Sequence, residues 1–396
     1  MIVELEKRSV CGEIKAIPSK SYAHRIAICN FLAGQEKLVD CGEFTSKDIQ
    51  VTVDCLTRIR QGKTLLDAGE SGSTLRFLLP LTCALGGSFE FIGHGKLIER
   101  PNAELFGVLT AHGVTVSQDK TIKLSGRLTH GEYRLRGDIS SQYVSGLLMA
   151  LPTLDGDSTI TLTTPLVSAP YVEITLEVLR AFGIEIKKTE NGYFIKGGQK
   201  FKGGALPEGD WSNMAFFLVL GAFSGQIKVT GLNLDSVQGD KKIIEVLKSA
   251  GAQMEFDGGI TVKKSSLNAF TLDAEDCPDL VPIVCVLASF AKGKSVIKNV
   301  ERLKIKESDR IDSTLCMLRA FGISAQSDGH SITVEGACAV GAKVDSFNDH
   351  RIVMSASVLA TGASGKSVIT DAGAVAKSYP SFFEDFKSVG GKVSEI

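Results

Sequence analysis

No apolar run in this sequence reaches the roughly 18 to 20 residues that a membrane-spanning helix requires. Neither charge is in excess: 44 Lys and Arg stand against 45 Asp and Glu, a formal net charge of −1 over 396 residues. That balance argues against a nucleic-acid coat or a membrane-surface protein, which carry a basic excess, so any cationic function has to be local. Nine cysteines are present but no C-x-x-C pair. Several lie among aliphatic residues, as Cys29 and Cys285 do. They read as reduced core residues of a cytoplasmic protein, not as disulfides or metal ligands. H-E-x-x-H, G-x-S-x-G and G-x-G-x-x-G are all missing, which leaves metalloenzyme, hydrolase and dehydrogenase readings without support. No metal and no cofactor is expected. Met1–Lys7 alternates as a strand does and lacks the layout of a signal peptide.

What is present is an ordinary globular composition, 43% hydrophobic and 22% charged, long enough for two or three domains. One passage recurs six times: a polar cluster, an apolar helical run, a Gly, then a strand. The copies begin at Pro18-Ser19-Lys20-Ser21, Gly69–Thr74, Asp138–Gln142, Gly209–Asn213, Asp276–Asp279 and Asn348–Arg351. Second helices follow and stop alike, at Ala111-His112-Gly113, Ala181-Phe182-Gly183, Ala250-Gly251, Ala320-Phe321-Gly322 and Val389-Gly390-Gly391. Gly is the expected terminator and period-two alternation the expected strand. The polar clusters are helix caps in the first instance. Six of them from equivalent places could also converge as an anion site, because helix N-termini attract negative charge. The fold class is therefore α/β, in closed domains of three copies each.

Five clusters carry candidate chemistry. Lys20 sits at a helix start, where its charge opposes the dipole, and Arg25 lies a turn further on. Gly69–Arg76 is rich in Gly and small hydroxyls, which let backbone N–H groups approach a phosphate. The strings Gly293-Lys294-Ser295 and Gly365-Lys366-Ser367 are not P-loops, because each opens a strand instead of a helix. Lys306, Glu307 and Arg310 place cations a turn apart around a carboxylate, suited to an anion beside a proton donor or acceptor. Asn348-Asp349-His350-Arg351 and Lys377 complete the set.

Together these strings resemble the enolpyruvyl transferase family, in its branch that acts on shikimate 3-phosphate. The resemblance spans essentially the whole chain and rests on Pro18-Ser19-Lys20-Ser21 with Arg25, Ser71–Arg76, Glu99-Arg100-Pro101, Ser140-Ser141-Gln142, Lys306–Arg310 and Asn348–Arg351. It implies a two-domain inside-out α/β barrel, each domain made of three βαβαββ repeats. Residues 1–18 would join 209–396 in one domain and 19–208 would form the other, with a hinge near 18–20 and 208–210. It also implies transfer of the enolpyruvyl group of phosphoenolpyruvate to the 5-hydroxyl of shikimate 3-phosphate, through a tetrahedral intermediate, by a monomer. In the roles it implies, Asp279 takes the hydroxyl proton, and Glu307 and Lys20 serve proton transfer at C3. Lys20, Gly72, Arg100, Gln142 and Lys377 hold the phosphate of phosphoenolpyruvate, and Arg310 and Arg351 its carboxylate. Shikimate 3-phosphate lies on Lys20, Ser21, Arg25, Ser140, Ser141, Gln142, Ser168, Tyr171, Asp279 and Lys306.

The chain departs from the family pattern at Glu70-Ser71, Phe77 and Lys304, beside the phosphoenolpyruvate loop. One rival reading is the sister enzyme acting on UDP-N-acetylglucosamine, which usually carries a reactive Cys before the loop Arg-Pro. Gly93–Pro101 has no Cys. The other rival is a non-catalytic repeat protein, which would have no need of Asp279, Glu307 and Lys20 together.

Overall fold

The computed structural model describes residues 1–42 and 45–396. The chain divides into two compact units, Lys20–Pro207 and Met1–Ser19 with Glu208–Ile396.

In the Lys20–Pro207 unit the helices are α1 (Lys20–Leu32), α2 (Lys47–Arg60), α3 (Gly72–Leu85), α4 (Ala103–Ala111), α5 (Ser141–Ala150) and α6 (Ala169–Ala181). Two four-stranded sheets accompany them. One runs in the order Leu65–Asp67, Gly87–Ile92, Ile122–Gly126, Val114–Gln118, and the other Glu132–Leu135, Ser158–Leu162, Gly192–Ile195, Ile186–Thr189. In both, the first pair is parallel and the next two pairings antiparallel. The parallel pair needs a crossover, and α3 and α5 supply it.

The other unit holds α7 (Trp211–Ser224), α8 (Ile243–Ser249), α9 (Val281–Ser289), α10 (Arg310–Ala320), α11 (His350–Ala360) and α12 (Phe382–Ser388). Three sheets of the same pairing pattern belong to it. The N-terminal strands are built into two of them: Cys11–Lys15 pairs parallel with Gln226–Thr230, and Val3–Glu6 lies between Lys366–Thr370 and Lys392–Glu395. The segments leading out of this unit run side by side, with Pro18 bridged antiparallel to Gly209.

At the core of this unit α7, α9 and α11 are buried along almost their whole length, α7 and α9 being apolar nearly all round, the pattern of helices surrounded by protein. The second helices stop as expected. Gly113, Gly183, Gly251, Gly322 and Gly390 all have φ between +73° and +95°, and each donates its N–H to the carbonyl three residues back. Gly62 does the same after α2, a sixth copy that the sequence reading did not single out. The α/β class with repeated βαβαββ units is what the chain adopts. The copy carrying α1 and α2 differs: among the described residues no strand lies between those helices, and five full sheets form instead of six. The cysteines also correct the sequence reading in part. All nine are unpaired, but Cys11, Cys316 and Cys338 are exposed and only the other six are buried. No helix among the described residues is long and apolar enough to cross a membrane.

Gly225 ends α7 where a Cβ would stand 1.8 Å from the Val10 carbonyl oxygen, which itself accepts from the Gln226 N–H. Neither strand can retreat without breaking the ladder. Gly225→Ala is expected to destabilise the protein by about 3 kcal/mol or more, read as a lowered urea midpoint.

Candidate active site

The first group of candidate residues gathers in the unit containing α7–α12. Asp279 lies in the single turn Pro278–Leu280 that leads into α9. Its Oδ1 accepts from Arg310 Nη1 at 2.9 Å and from Lys306 Nζ at 3.4 Å, and its Oδ2 accepts from Arg351 Nη2 at 2.9 Å. The other Arg351 terminal nitrogen donates to the Asp279 carbonyl. Burial alone would push the Asp279 carboxyl up. Arg351, Lys306, Arg310 and His350 overcome that and hold it well below the usual carboxylate range. Asp279 is ionised, as its cationic surroundings predict.

Arg310 is the first residue of α10 and Arg351 the second of α11. Arg310 also donates to Glu307 Oε2 at 2.5 Å and, through Nε, to Asp349 Oδ2 at 2.8 Å. Asp349 is fully buried. It caps α11 through the Arg351 N–H and accepts from Ser308 as well. The two residues before it, Phe347 and Asn348, both adopt the left-handed region, at φ 54° and 55°. That conformation costs about 1–2 kcal/mol per non-Gly residue. Lys377 donates to the Asn348 carbonyl at 2.7 Å, so it sits against this strained turn. Sequence reasoning read Asp349 within a helix-capping cluster and missed its pairing with Arg310. The motif contained it, but nothing in a string shows which carboxylate turns inward.

A second group gathers in the unit containing α1–α6. Gly72 opens α3, capped by Ser71, whose Oγ accepts from the Thr74 N–H. A Cβ on Gly72 would stand 2.7 Å from Arg100 Nη1, so the missing side chain lets the guanidinium lie against the helix start. Gln142, at the start of α5, donates to Ser73 Oγ at 2.9 Å and accepts from Arg76 Nη1 at 2.8 Å. Arg76 further donates to Asn102 Oδ1 and the Pro101 carbonyl. Buried Arg76 therefore sets both the Gln142 amide and the loop after Arg100. Sequence reasoning quoted Arg76 but gave it no part. Lys20 pairs with Asp48 Oδ2 at 2.9 Å, a partner from α2 that no motif contained.

Of the residues expected to hold shikimate 3-phosphate, Asp279 and Lys306 belong to the first group, and the others lie where α1, α5 and α6 meet. Ser140 caps α5 through the Gln142 N–H and Ser141 is buried beside it. Ser168 precedes α6 with φ 53°, a second strained position, and Tyr171 follows. Arg25 ties the three helices together. Its guanidinium, 2% exposed, donates to Thr175 Oγ1, to the Ser21 and Tyr171 carbonyls, and to Ser145 Oγ. Burial lowers it to about 10, still cationic at neutral pH. The structure thus gathers the candidates into one cluster in each unit.

One buried acid was not anticipated. Asp240, 5% exposed, has no hydrogen-bond partner on Oδ1 among the described residues. Burial and the negative charge of Asp279 push it up to about 7, against the pull of Arg351. A carboxyl whose folded pKa is raised contributes stability that is full below its unfolded pKa and lost as pH rises through the folded value. The window here is about pH 4 to 7. Asp240→Asn should therefore gain stability over the parent protein progressively across that window, by up to about 4 kcal/mol at pH 8. Urea titrations at pH 5 and pH 8 check it; an unchanged difference would show Asp240 to be ionised throughout.

Comparison with known proteins shows the family and the fold. The family model for EPSP synthase (3-phosphoshikimate 1-carboxyvinyltransferase) matches residues 55–386. The 3-phosphoshikimate 1-carboxyvinyltransferase of Clostridium kluyveri is 38% identical, over 99% of this chain and 98% of its own. That of Clostridium acetobutylicum is 37% identical over 97% and 96%. Among solved structures, EPSP synthase from Acinetobacter baumannii superposes with a TM-score of 0.79 at 23% identity, over 100% of this chain and 99% of that one. The enolpyruvyl transferase NikO from Streptomyces tendae gives 0.77 at 15%, over 99% and 98%; both share the fold. On the family model and the full-length relatives, the chain belongs to the EPSP synthase family.

Proposed function

We propose that the chain transfers the enolpyruvyl group of phosphoenolpyruvate to the 5-hydroxyl of shikimate 3-phosphate and releases inorganic phosphate. One observation carries the reading beyond family membership: a partly buried, ionised Asp279 gripped by Arg310, Arg351 and Lys306.

Two roles follow from that cluster. Arg310 and Arg351 offer planar forks suited to the phosphoenolpyruvate carboxylate. Both forks are paired with Asp279. A substrate carboxylate that takes them withdraws positive charge from Asp279 and raises its basicity when the acceptor hydroxyl arrives. Asp279 then removes the 5-hydroxyl proton as that oxygen bonds to C2 of phosphoenolpyruvate. C3 takes a proton, and Glu307 and Lys20 are the groups assigned to give it and to remove one in the collapse. Loss of that C3 proton re-forms the double bond as the C2–O bond to phosphate breaks.

Lys20, the Gly72 backbone, Arg100, Gln142 and Lys377 hold the departing phosphate, where a helix N-terminus and cations stabilise growing charge. Ser21 and Arg25 take the shikimate carboxylate. Lys20, Ser140, Ser141, Gln142, Ser168 and Lys306 surround its phosphate and Tyr171 lies along the ring, with Asp279 at the 5-hydroxyl. The paired crossings at residues 18–20 and 208–210 are the proposed hinge. The reading is of a cytoplasmic monomer whose chemistry calls on the chain's own groups, without metal or cofactor.

Mixing the protein with both substrates should release phosphate. Release only with a UDP-sugar acceptor would overturn the reading in favour of the sister enzyme. Asp279→Asn should lower kcat by about 10²–10⁴-fold, the range for a lost general base. A variant with full activity would return the chain to the non-catalytic alternative. Lys20→Ala should lose turnover by at least about 10²-fold while its melting temperature moves little, because a partly exposed ion pair such as Lys20–Asp48 contributes about 1 kcal/mol or less.

A further inference from the structure

His24 lies one turn beyond Lys20 on α1 and is 1% exposed. Its Nδ1 is 2.8 Å from Thr52 Oγ1, and its Nε2 has no hydrogen-bond partner among the described residues. Burial, then the charges of Lys20 and Arg25, hold it well below the usual histidine range, so it is neutral at physiological pH. A neutral imidazole carries one N–H. On Nε2 that hydrogen would be a buried donor with no acceptor, which is costly; on Nδ1 it meets a hydroxyl. The proton therefore sits on Nδ1 and His24 donates to Thr52.

The consequence passes along a buried chain of hydroxyls. Thr52 Oγ1 is 2.6 Å from Thr74 Oγ1, and Thr74 Oγ1 is 2.8 Å from Ser71 Oγ, the cap of α3. With His24 donating at one end, each hydroxyl can donate to the next, and Ser71 receives from both the Thr74 hydroxyl and the Thr74 N–H. The backbone carbonyl of Asp48 lies 3.2 and 3.4 Å from Thr52 and Thr74 Oγ1, the longer branch of hydroxyl protons shared with the 2.6 and 2.8 Å links of the chain. The Asp48 carboxylate is the partner of Lys20. One imidazole thus stands behind both the lysine and the helix start assigned to the phosphate of phosphoenolpyruvate.

We infer that His24 is a positioning residue: through Thr52 and Thr74 it sets the direction of the hydroxyl chain that holds the Lys20–Asp48 pair in register with the N-terminus of α3. The inference rests on the functional reading above. It requires a larger effect on phosphoenolpyruvate, assigned both Lys20 and the start of α3, than on shikimate 3-phosphate, which shares Lys20 but is otherwise held by residues tied together through Arg25. A purely structural histidine would weaken both substrates alike or neither.

The test compares steady-state constants of the parent protein with those of His24→Leu, His24→Asn and Thr52→Val. His24→Leu and Thr52→Val should raise the KM for phosphoenolpyruvate by roughly tenfold, the loss of about one buried hydrogen bond, with the KM for shikimate 3-phosphate raised by clearly less. His24→Asn, whose amide can place a donor near the former Nδ1, should recover most of the loss. Should His24→Leu fail to fold, Thr52→Val carries the same expectation. The inference is overturned if folded His24→Leu or Thr52→Val binds phosphoenolpyruvate as the parent does, if both substrates weaken alike, or if His24→Asn is no better than His24→Leu. An inactive parent protein would instead overturn the functional reading. In that case, weaker binding of inorganic phosphate by Thr52→Val than by the parent, measured by calorimetry, would still support the role of the hydroxyl chain, and equal binding would overturn it.

Discussion

Everything in the α7–α12 unit turns on the cost of burying Arg310. Its side chain is 1% exposed, and a guanidinium in that position survives only if its charge and donors are met. Asp349, Asp279 and Glu307 meet them, and Arg351 and Lys306 bring Asp279 two more cations. Three carboxylates and three cations interlock, and removal of one partner would leave a buried charge uncompensated, at about 3–5 kcal/mol. That penalty is what makes the strained Phe347–Asn348 turn tolerable, because the turn delivers Asp349 to Arg310. It also presets both arginine forks before any ligand arrives, so less ordering cost remains for binding.

The α1–α6 unit supports its candidates largely with neutral groups. Its phosphate candidates are a helix start, an amide, Lys20 and Arg100; hydroxyls and the buried Arg76 hold the helix start and the amide, and Asp48 pairs with Lys20. A ligand carboxylate in the first cluster must compete with Asp279 for its arginines. A phosphate at the α3 start meets the positive end of a helix dipole instead. The first arrangement suits a group whose arrival should alter a neighbouring base, and the second a group that gathers charge as it leaves.

Much of this was legible in the sequence, for reasons that are physical. Gly113, Gly183, Gly251, Gly322 and Gly390 could be read as helix stops because only glycine adopts their backbone without strain. Ser71, Ser140, Asp210 and Asp349 could be read as caps, and each accepts an N–H of the first turn. The site strings could be read because local spacing brings Lys306, Glu307 and Arg310 together. Illegible were the partners supplied from afar, Asp48 to Lys20, Arg76 to Gln142 and Thr52 to His24. Their separations of 28, 66 and 28 residues leave no local pattern. The exposed cysteines escaped for a related reason. A thiol in a strand or on the outer turn of a helix looks the same in a string as one facing the core.

The missing sheet explains why α1 is so polar inside. Elsewhere the first helix of each repeat crosses over between parallel strands, and the ladder fixes where it starts. Among the described residues α1 has no such ladder, yet it carries Lys20, Ser21, His24 and Arg25. Side chains stand in for it: Arg25 reaches α5 and α6, His24 and Lys20 reach α2, Tyr22 reaches Glu177, and Asn30 holds the Leu38 carbonyl. Hydrogen bonds of this kind are directional and demand full satisfaction when buried, so they can specify a position that apolar packing alone would leave free to slide. A helix without a sheet can then present its first turn as exactingly as its five sheet-bound counterparts, provided each buried donor on it keeps its partner.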